Sequence, residues 1–152
     1  MKEMKGNLIG KGKRFAIIVS RFNELISRRL IDGATDCLLR PGVADADIDL
    51  VWTPGSYEIP FVANRLIDKG YNGLICLGAV IRGDTPHFDY IASEVAKGIA
   101  QLNLKGKVPV SFGIITADNI DQAINRAGAK EGNKGWDAAL SALEMANIVD
   151  IV

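Results

Sequence analysis

Four short stretches of this 152-residue chain gather side chains able to bind and transform a small polar ligand. Arg82-Gly83-Asp84-Thr85-Pro86-His87-Phe88-Asp89 follows an apolar run and leads into a helical pattern. Its glycine frees the backbone, Thr85 offers a hydroxyl, and N–H groups at a helix start attract phosphate. An ordinary strand-to-helix turn would look the same. His87 is the one histidine in the chain, and histidine is the residue type that exchanges protons near neutral pH. It is either a proton shuttle beside a phosphate nest or a surface or packing residue. Ser20-Arg21-Phe22-Asn23 puts an aromatic ring where it either stacks on a planar ligand or caps the core. Gly55-Ser56-Tyr57-Glu58 combines amide donors, a hydroxyl, a ring and a carboxylate. Polyol or heterocycle recognition uses that set, and so does a helix cap with Glu58 near the positive end of the dipole. Arg126 and Lys134 flank Gly128 in a glycine-rich, cationic connection that either holds a phosphate or forms a solvated helix end. No metal-ligand cluster, nucleotide P-loop or dinucleotide glycine fingerprint accompanies these groups.

The elements that must position these groups follow from periodicity. Arg14 to Ser20 reads as a continuous β-branched run, the pattern of a strand buried on both faces. Asn23 opens a helix whose face carries Leu25, Ile26, Leu30, Ile31, Ala34, Cys37 and Leu38, stopped by Pro41-Gly42. A second strand spans Ile48 to Thr53, and after the Pro54-Gly55-Ser56 turn a helix runs from Glu58 to Lys69, with Pro60 tolerated in its first turn. Gly73 to Ile81 is a third strand, followed by a helix striped by Ile91, Val95, Ile99 and Leu102, and Val108 to Thr116 a fourth. Asn119 and Gln122 resemble a capping box opening a short helix that reaches Gly128, and Trp136, Ala139, Leu140, Leu143 and Ala146 mark a final helix. The order βαβαβαβαα predicts a parallel sheet covered on both faces, because parallel neighbours need crossovers. Four such strands suit an α/β, flavodoxin-like three-layer sandwich, whose ligands gather at the carboxyl ends of the strands. The four stretches above fall on those ends.

Composition bounds the rest. A chain of 152 residues with 48% hydrophobic content sustains one sizeable core, so a single domain over 1–152 is expected, with 1–13 as a polar arm carrying the apolar pair Leu8-Ile9. Lysine plus arginine balances aspartate plus glutamate at 18 each, which leaves no excess charge for nucleic acid or an anionic membrane. The longest apolar stretches are far short of the roughly twenty residues a membrane helix needs. The N-terminal lysines precede no apolar block or small-residue cleavage site, so a cytoplasmic location is expected. Cys37 and Cys76 lie in apolar stretches and are expected to be packing residues, not a disulfide.

Four segments taken together resemble the lumazine synthase family, in order and over essentially the whole chain. They are Ser20-Arg21-Phe22-Asn23; Pro54-Gly55-Ser56-Tyr57-Glu58-Ile59-Pro60; Gly78-Ala79-Val80-Ile81-Arg82-Gly83-Asp84-Thr85-Pro86-His87-Phe88-Asp89; and Arg126-Ala127-Gly128-Ala129-Lys130-Glu131-Gly132-Asn133-Lys134-Gly135. The resemblance implies condensation of 5-amino-6-(D-ribitylamino)uracil with 3,4-dihydroxy-2-butanone 4-phosphate to 6,7-dimethyl-8-ribityllumazine, phosphate and water. This is the penultimate step of riboflavin biosynthesis, and it uses no metal or redox cofactor.

Carried over position by position, the resemblance implies that Phe22 stacks on the pyrimidine and that Ser56, Tyr57 and Glu58 hold pyrimidine and ribityl groups. Ala79, Val80 and Ile81 present backbone to the ring, and Phe112 helps bind the same substrate. Asp84, Thr85 and Arg126 hold the ketone phosphate, and His87 shuttles protons; Asn23 and Lys134 belong to the same site. The family usually has tryptophan where this chain has Tyr57, and Asp84 sets a carboxylate beside an anion, so main-chain N–H groups are expected to make the contacts there. The resemblance further implies homopentamers with sites between neighbours, Phe112, Arg126 and Lys134 coming from one subunit and the rest from the other. A glycine-rich connection like Gly128 to Gly135 goes with icosahedral shells of pentamers, and the resemblance raises riboflavin synthase as a cargo of such a shell. The arm with Leu8 and Ile9 is expected to add a strand to a neighbour's sheet. Two other readings compete: a non-catalytic binding module that retains the pocket, against which His87 and Arg126 count, and a container whose assembly is its main role.

Overall fold

The computed structural model describes residues 1–129 and 132–152; Lys130 and Glu131, within the Arg126-to-Gly135 segment, lie outside the described residues. The chain runs β1 (Phe15–Ser20), α1 (Glu24–Leu39), β2 (Ile48–Thr53), α2 (Ile59–Leu66), β3 (Gly73–Ile81), α3 (His87–Leu104), β4 (Val110–Ala117), α4 (Ile120–Arg126) and α5 (Lys134–Val149), with short 3₁₀ turns at Asp45–Asp47 and Ser56–Glu58. The four strands form one parallel sheet in the order β2-β1-β3-β4. Every residue of β1 is buried, as its unbroken apolar run requires.

Alternate side chains of the strands serve two cores. Phe15, Ile17 and Val19 of β1 point to the same side as Ile75 and Leu77 of β3, and meet Ile26, Leu30 and Leu38 of α1 and Ala139, Ala142 and Leu143 of α5. Ala16 and Ile18, with Leu74 and Cys76, point to the other side, against Ile59 and Ala63 of α2 and Val95, Ile99 and Leu102 of α3. The result is a three-layer α/β sandwich of the flavodoxin-like kind. Burial pushes the Cys76 thiol up to about 12 and the Cys37 thiol, aided by Asp36, up to about 11. Both are therefore neutral at ordinary pH and act as small apolar fillers. No described helix is long and apolar enough to cross a membrane.

Several boundaries differ from the periodicity, each for a local reason. β1 starts at Phe15 instead of Arg14, because the Arg14 N–H is taken by Asn72 Oδ1 (2.8 Å). α2 is shorter than the expected Glu58-to-Lys69 helix: Ser56–Glu58 tighten into a 3₁₀ turn ahead of it, and its tail unwinds with Lys69 N–H donating to the carbonyl of Leu66 (3.0 Å). β4 begins at Val110, not Val108, since Pro109 has no N–H for the ladder, while the Val110 N–H is taken by Asn103 Oδ1 (2.9 Å). It extends one residue past Thr116, to Ala117.

At α4 the capping box is offset by one residue. Asn119 Oδ1 accepts the Gln122 N–H (2.9 Å), but Gln122 Oε1 reaches back to the N–H of Asp118, not of Asn119 (2.8 Å). α5 is capped by Asn133, whose Oδ1 accepts from Gly135 N (2.8 Å) and Trp136 N (3.1 Å).

Residues 1–13 form neither helix nor strand. The arm lies along its own subunit: Gly10 N–H donates to the carbonyl of Pro41 (3.0 Å), Asn147 Nδ2 donates to the carbonyl of Ile9 (3.1 Å), and Lys13 pairs with Asp150 (2.8 Å). Leu8 and Ile9 nonetheless keep about half their surface in solvent, at 47% and 57% exposed.

Candidate functional site

Three strand ends build one wall of a cleft. β1 stops at Ser20, and the chain turns sharply because Asn23 takes a left-handed conformation (φ 59°, ψ 55°), which asparagine tolerates better than most residues. The Asn23 carbonyl then receives the first α1 hydrogen bonds, from Ile26 (3.0 Å) and Ser27 (3.1 Å), while Ser27 Oγ donates to the carbonyl of Ser20 (2.6 Å). This reversal leaves the ring of Phe22 64% exposed. Asn23 Nδ2 is buried without a hydrogen-bond partner among the described residues.

β2 ends at Thr53, whose hydroxyl donates to the carbonyl of Gly55 (2.8 Å) and folds the Pro54-Gly55 turn inward. Ser56 is thereby buried, its hydroxyl 3.4 Å from that of Ser20. Tyr57 and Glu58 remain exposed. The third contribution is the end of β3, where Ala79 and Val80 are buried and Ile81 half-buried. Gly78 passes so close behind them that a Cβ there would lie 2.6 Å from Ser20 Oγ and 2.8 Å from Ser56 Oγ.

The cleft occupies about 550 Å³, bounded by Phe22, by Ser56, Tyr57 and Glu58, by Ala79, Val80 and Ile81, and by Thr85 and His87. Its chemistry is mixed in the way a polar heterocycle needs: apolar walls and an exposed ring for stacking, with hydroxyl, carboxylate, imidazole and strand-end backbone at the edges. His87 is the first residue of the eighteen-residue α3, so the positive end of that helix faces the Gly83-to-Pro86 loop.

A second concavity of about 420 Å³ lies along the open edge of β4, lined by Phe112 to Thr116 with Arg126 and Lys134. Arg126 Nη1 donates to the carbonyl of Thr116 (2.7 Å), holding the guanidinium against the strand. Lys134 is 3.7 Å from Asp137 on the same helix face. The fourteen residues singled out from the sequence thus separate into two places. Nine border the cleft, Phe112, Arg126 and Lys134 border the edge concavity, and neither Asn23 nor the exposed Asp84 is among the lining residues of either.

Some contributors escaped the sequence reading. Phe88 and Ile91 also line the cleft; Ile91 was legible only as part of a core stripe, and Phe88 only as the neighbour of His87. Ser20 escaped because a serine ending an apolar strand carries no sign that its hydroxyl will meet another from the next strand.

The 6,7-dimethyl-8-ribityllumazine synthase family model matches residues 12–150, which include both concavities and every strand. A protein of that name from Desulfosudis oleivorans (strain DSM 6200 / JCM 39069 / Hxd3) is 59% identical over 152 residues, covering 99% of this chain and 97% of the relative. The match is therefore global, and with the parallel sandwich and the strand-end cleft it leads to one conclusion: the chain belongs to the 6,7-dimethyl-8-ribityllumazine synthase family.

Proposed function

We propose that the strand-end cleft and the β4-edge concavity are two halves of one kind of active site, completed when the edge of one subunit meets the cleft of the next. The observation that carries this reading is the separation of the residues: Phe22 to His87 border one concavity and Phe112, Arg126 and Lys134 another. The reaction is the family's condensation of 5-amino-6-(D-ribitylamino)uracil with 3,4-dihydroxy-2-butanone 4-phosphate, a step of riboflavin biosynthesis.

Phe22 stacks on the pyrimidine, Ser56, Tyr57 and Glu58 hold its polar edge and the ribityl chain, and the backbone of Ala79 to Ile81 faces the ring; Phe112 of the neighbouring subunit closes the other side. Tyr57 supplies a ring with a phenolic hydroxyl. Thr85, the main chain around Asp84, and Arg126 hold the ketone phosphate, with Lys134 adding positive charge. The pyrimidine's primary amine adds to the ketone carbonyl, and loss of water gives an imine. Proton removal next to that imine expels phosphate, and the resulting enol becomes a ketone. The ribityl-bearing nitrogen then attacks this carbonyl, and loss of a second water closes the ring. Each stage moves a proton at a nitrogen, carbon or oxygen, which is the work assigned to His87 at the head of α3. No stage needs an oxidant or reductant.

We further propose that the chain is one domain over 1–152, that it acts in the cytoplasm, and that it assembles head to tail into pentamers, which build an icosahedral shell. The N-terminal arm, half-exposed at Leu8 and Ile9, then joins a neighbour's sheet.

The test is to incubate the purified protein and its His87→Ala variant with both substrates and follow the fluorescent lumazine product. Wild type should form it, and His87→Ala should turn over about 10-fold to 10³-fold more slowly, because general acid–base help is modest beside the gain from holding two reactants together. Absence of product from wild type would refute the function, and unchanged turnover in the variant would remove His87 from the mechanism.

A further inference from the structure

Arg82 follows β3 directly and stands where two strand-end loops meet. Its N–H donates to the carbonyl of Ala117 (2.8 Å), its Nε to Asp118 Oδ1 (3.0 Å), and its Nη1 lies 3.6 Å from Asp89 Oδ1. The guanidinium also covers the ring of Phe88, 4.4 Å from its centroid. Phe88 is half-buried, packs against the α2–α3 core, and lines the cleft next to His87. Asp118 is itself held, since its N–H donates to Gln122 Oε1 in the cap of α4 (2.8 Å).

Between these anchors, Gly83, Asp84 and Thr85 are exposed and no hydrogen bond ties them to the other described residues. The loop is therefore fixed only at its two ends, and Arg82 grips both: one by its own backbone, the other through Phe88 and Asp89. A planar guanidinium can do this because its face stacks while its edge donates, whereas a lysine serves the carboxylates without an equivalent face.

We propose that Arg82 is a positioning residue for the condensation: stacked on Phe88 and paired with Asp118, it fixes the Gly83-to-Thr85 loop and the first turn of α3 that presents His87. This rests on the function proposed above. The tether also connects the cleft loop to α4, whose last turn carries Arg126.

The test compares wild type with Arg82→Ala, Arg82→Lys and Asp118→Asn, by steady-state kinetics and by amide hydrogen exchange of residues 89–93. Arg82→Ala should lose about 10-fold in kcat, less than the roughly 10²-fold that an ångström of misplacement can cost, with KM for the ketone phosphate changed by less than about 3-fold. Exchange in the first turns of α3 should speed up while that of β3 stays the same. Arg82→Lys should recover part of the lost kcat, and Asp118→Asn, which keeps an oxygen for Arg82 Nε and removes only the charge, should lose about 3-fold. A folded Arg82→Ala with wild-type kcat and exchange overturns the proposal. Should that variant not fold, Asp118→Ala, which removes the acceptor altogether, decides alone, and wild-type kcat and exchange in it overturn the proposal equally. Accelerated exchange in a protein whose wild type makes no lumazine locates the failure in the function, and the positioning role falls with it.

Discussion

Gly78 shows how a single missing methyl group shapes the cleft. The hydroxyls of Ser20 and Ser56 approach each other over its Cα, and a Cβ would stand 2.6 and 2.8 Å from them. Gly78→Ala must therefore push apart two buried groups whose strands are held by the sheet. Such overpacking typically costs about 1–3 kcal/mol. We expect a lower denaturation midpoint and, because Ser56 lines the cleft, a raised KM for the pyrimidine with smaller change for the ketone phosphate. Urea titration and steady-state kinetics check this; an alanine variant equal to wild type in both would show that the hydroxyls have room to move. At this scale the sequence disclosed which residue types stand at strand ends, since Phe22, Ser56 and Thr85 fall in loops after apolar runs. It disclosed neither the Ser20–Ser56 meeting nor the contact of Arg82 with Phe88, because both depend on how neighbouring strands are staggered, and that is a property of pairs.

The elements are held at their opposite, amino ends by a clasp that makes no contact with the cleft. Arg14, just before β1, donates to Asp49 of β2 (2.7 Å) and lies 4.4 Å over the ring of Tyr71, just before β3, while the Tyr71 hydroxyl also donates to Asp49 (2.7 Å). The Tyr71 hydrogen bond first, and Arg14 second, hold the Asp49 carboxyl below its ordinary range. A carboxyl with a lowered folded pKa contributes stability that is complete above its unfolded value, about 4, and is lost as pH falls through the folded value. Asp49→Asn should therefore lower the melting temperature at neutral pH, and the gap to wild type should close as the solution is acidified below about pH 4. A gap that stays constant with pH would show that the carboxylate is not the source. Strand and helix identities were legible here because each pattern is local. The ends of β4 and α2 were not, because Pro109 has no N–H for the ladder and the turn at Ser56 tightens against another strand.

For the molecule as a whole, the proposed sharing of a site between neighbours has a consequence that one chain alone cannot show. Phe22→Ala damages the cleft half and Arg126→Ala the edge half, so each homogeneous assembly should be strongly impaired. In mixed assemblies, roughly a quarter of sites would join an intact cleft to an intact edge, as random head-to-tail pairing dictates. Activity should reappear on mixing with subunit exchange, and a mixture as dead as its parts would place both residues in one chain's site. The layered architecture was legible from the alternation of strands and helices, whereas the separation of Arg126 from His87 was legible only through the family resemblance, since sequence order by itself does not say which loops share a concavity. The sheet also sets a timetable. Phe15 pairs with Ile48 and Gly73, and Leu74 with Val110, so no strand finds its partner close by in the chain. Pairings over such spans form slowly, because loop closure must come before any contact repays it. The face of β1 and β3 that carries Phe15, Ile17 and Leu77 has α5 among its covers, and α5 follows every strand. A nascent chain emerging from the ribosome must therefore keep that face without its α5 cover, and protected only in part by earlier helices such as α1, until Ala139, Ala142 and Leu143 have been synthesised. Translation stopped short of Lys134 would release a product with this face only part-covered, and so prone to aggregate.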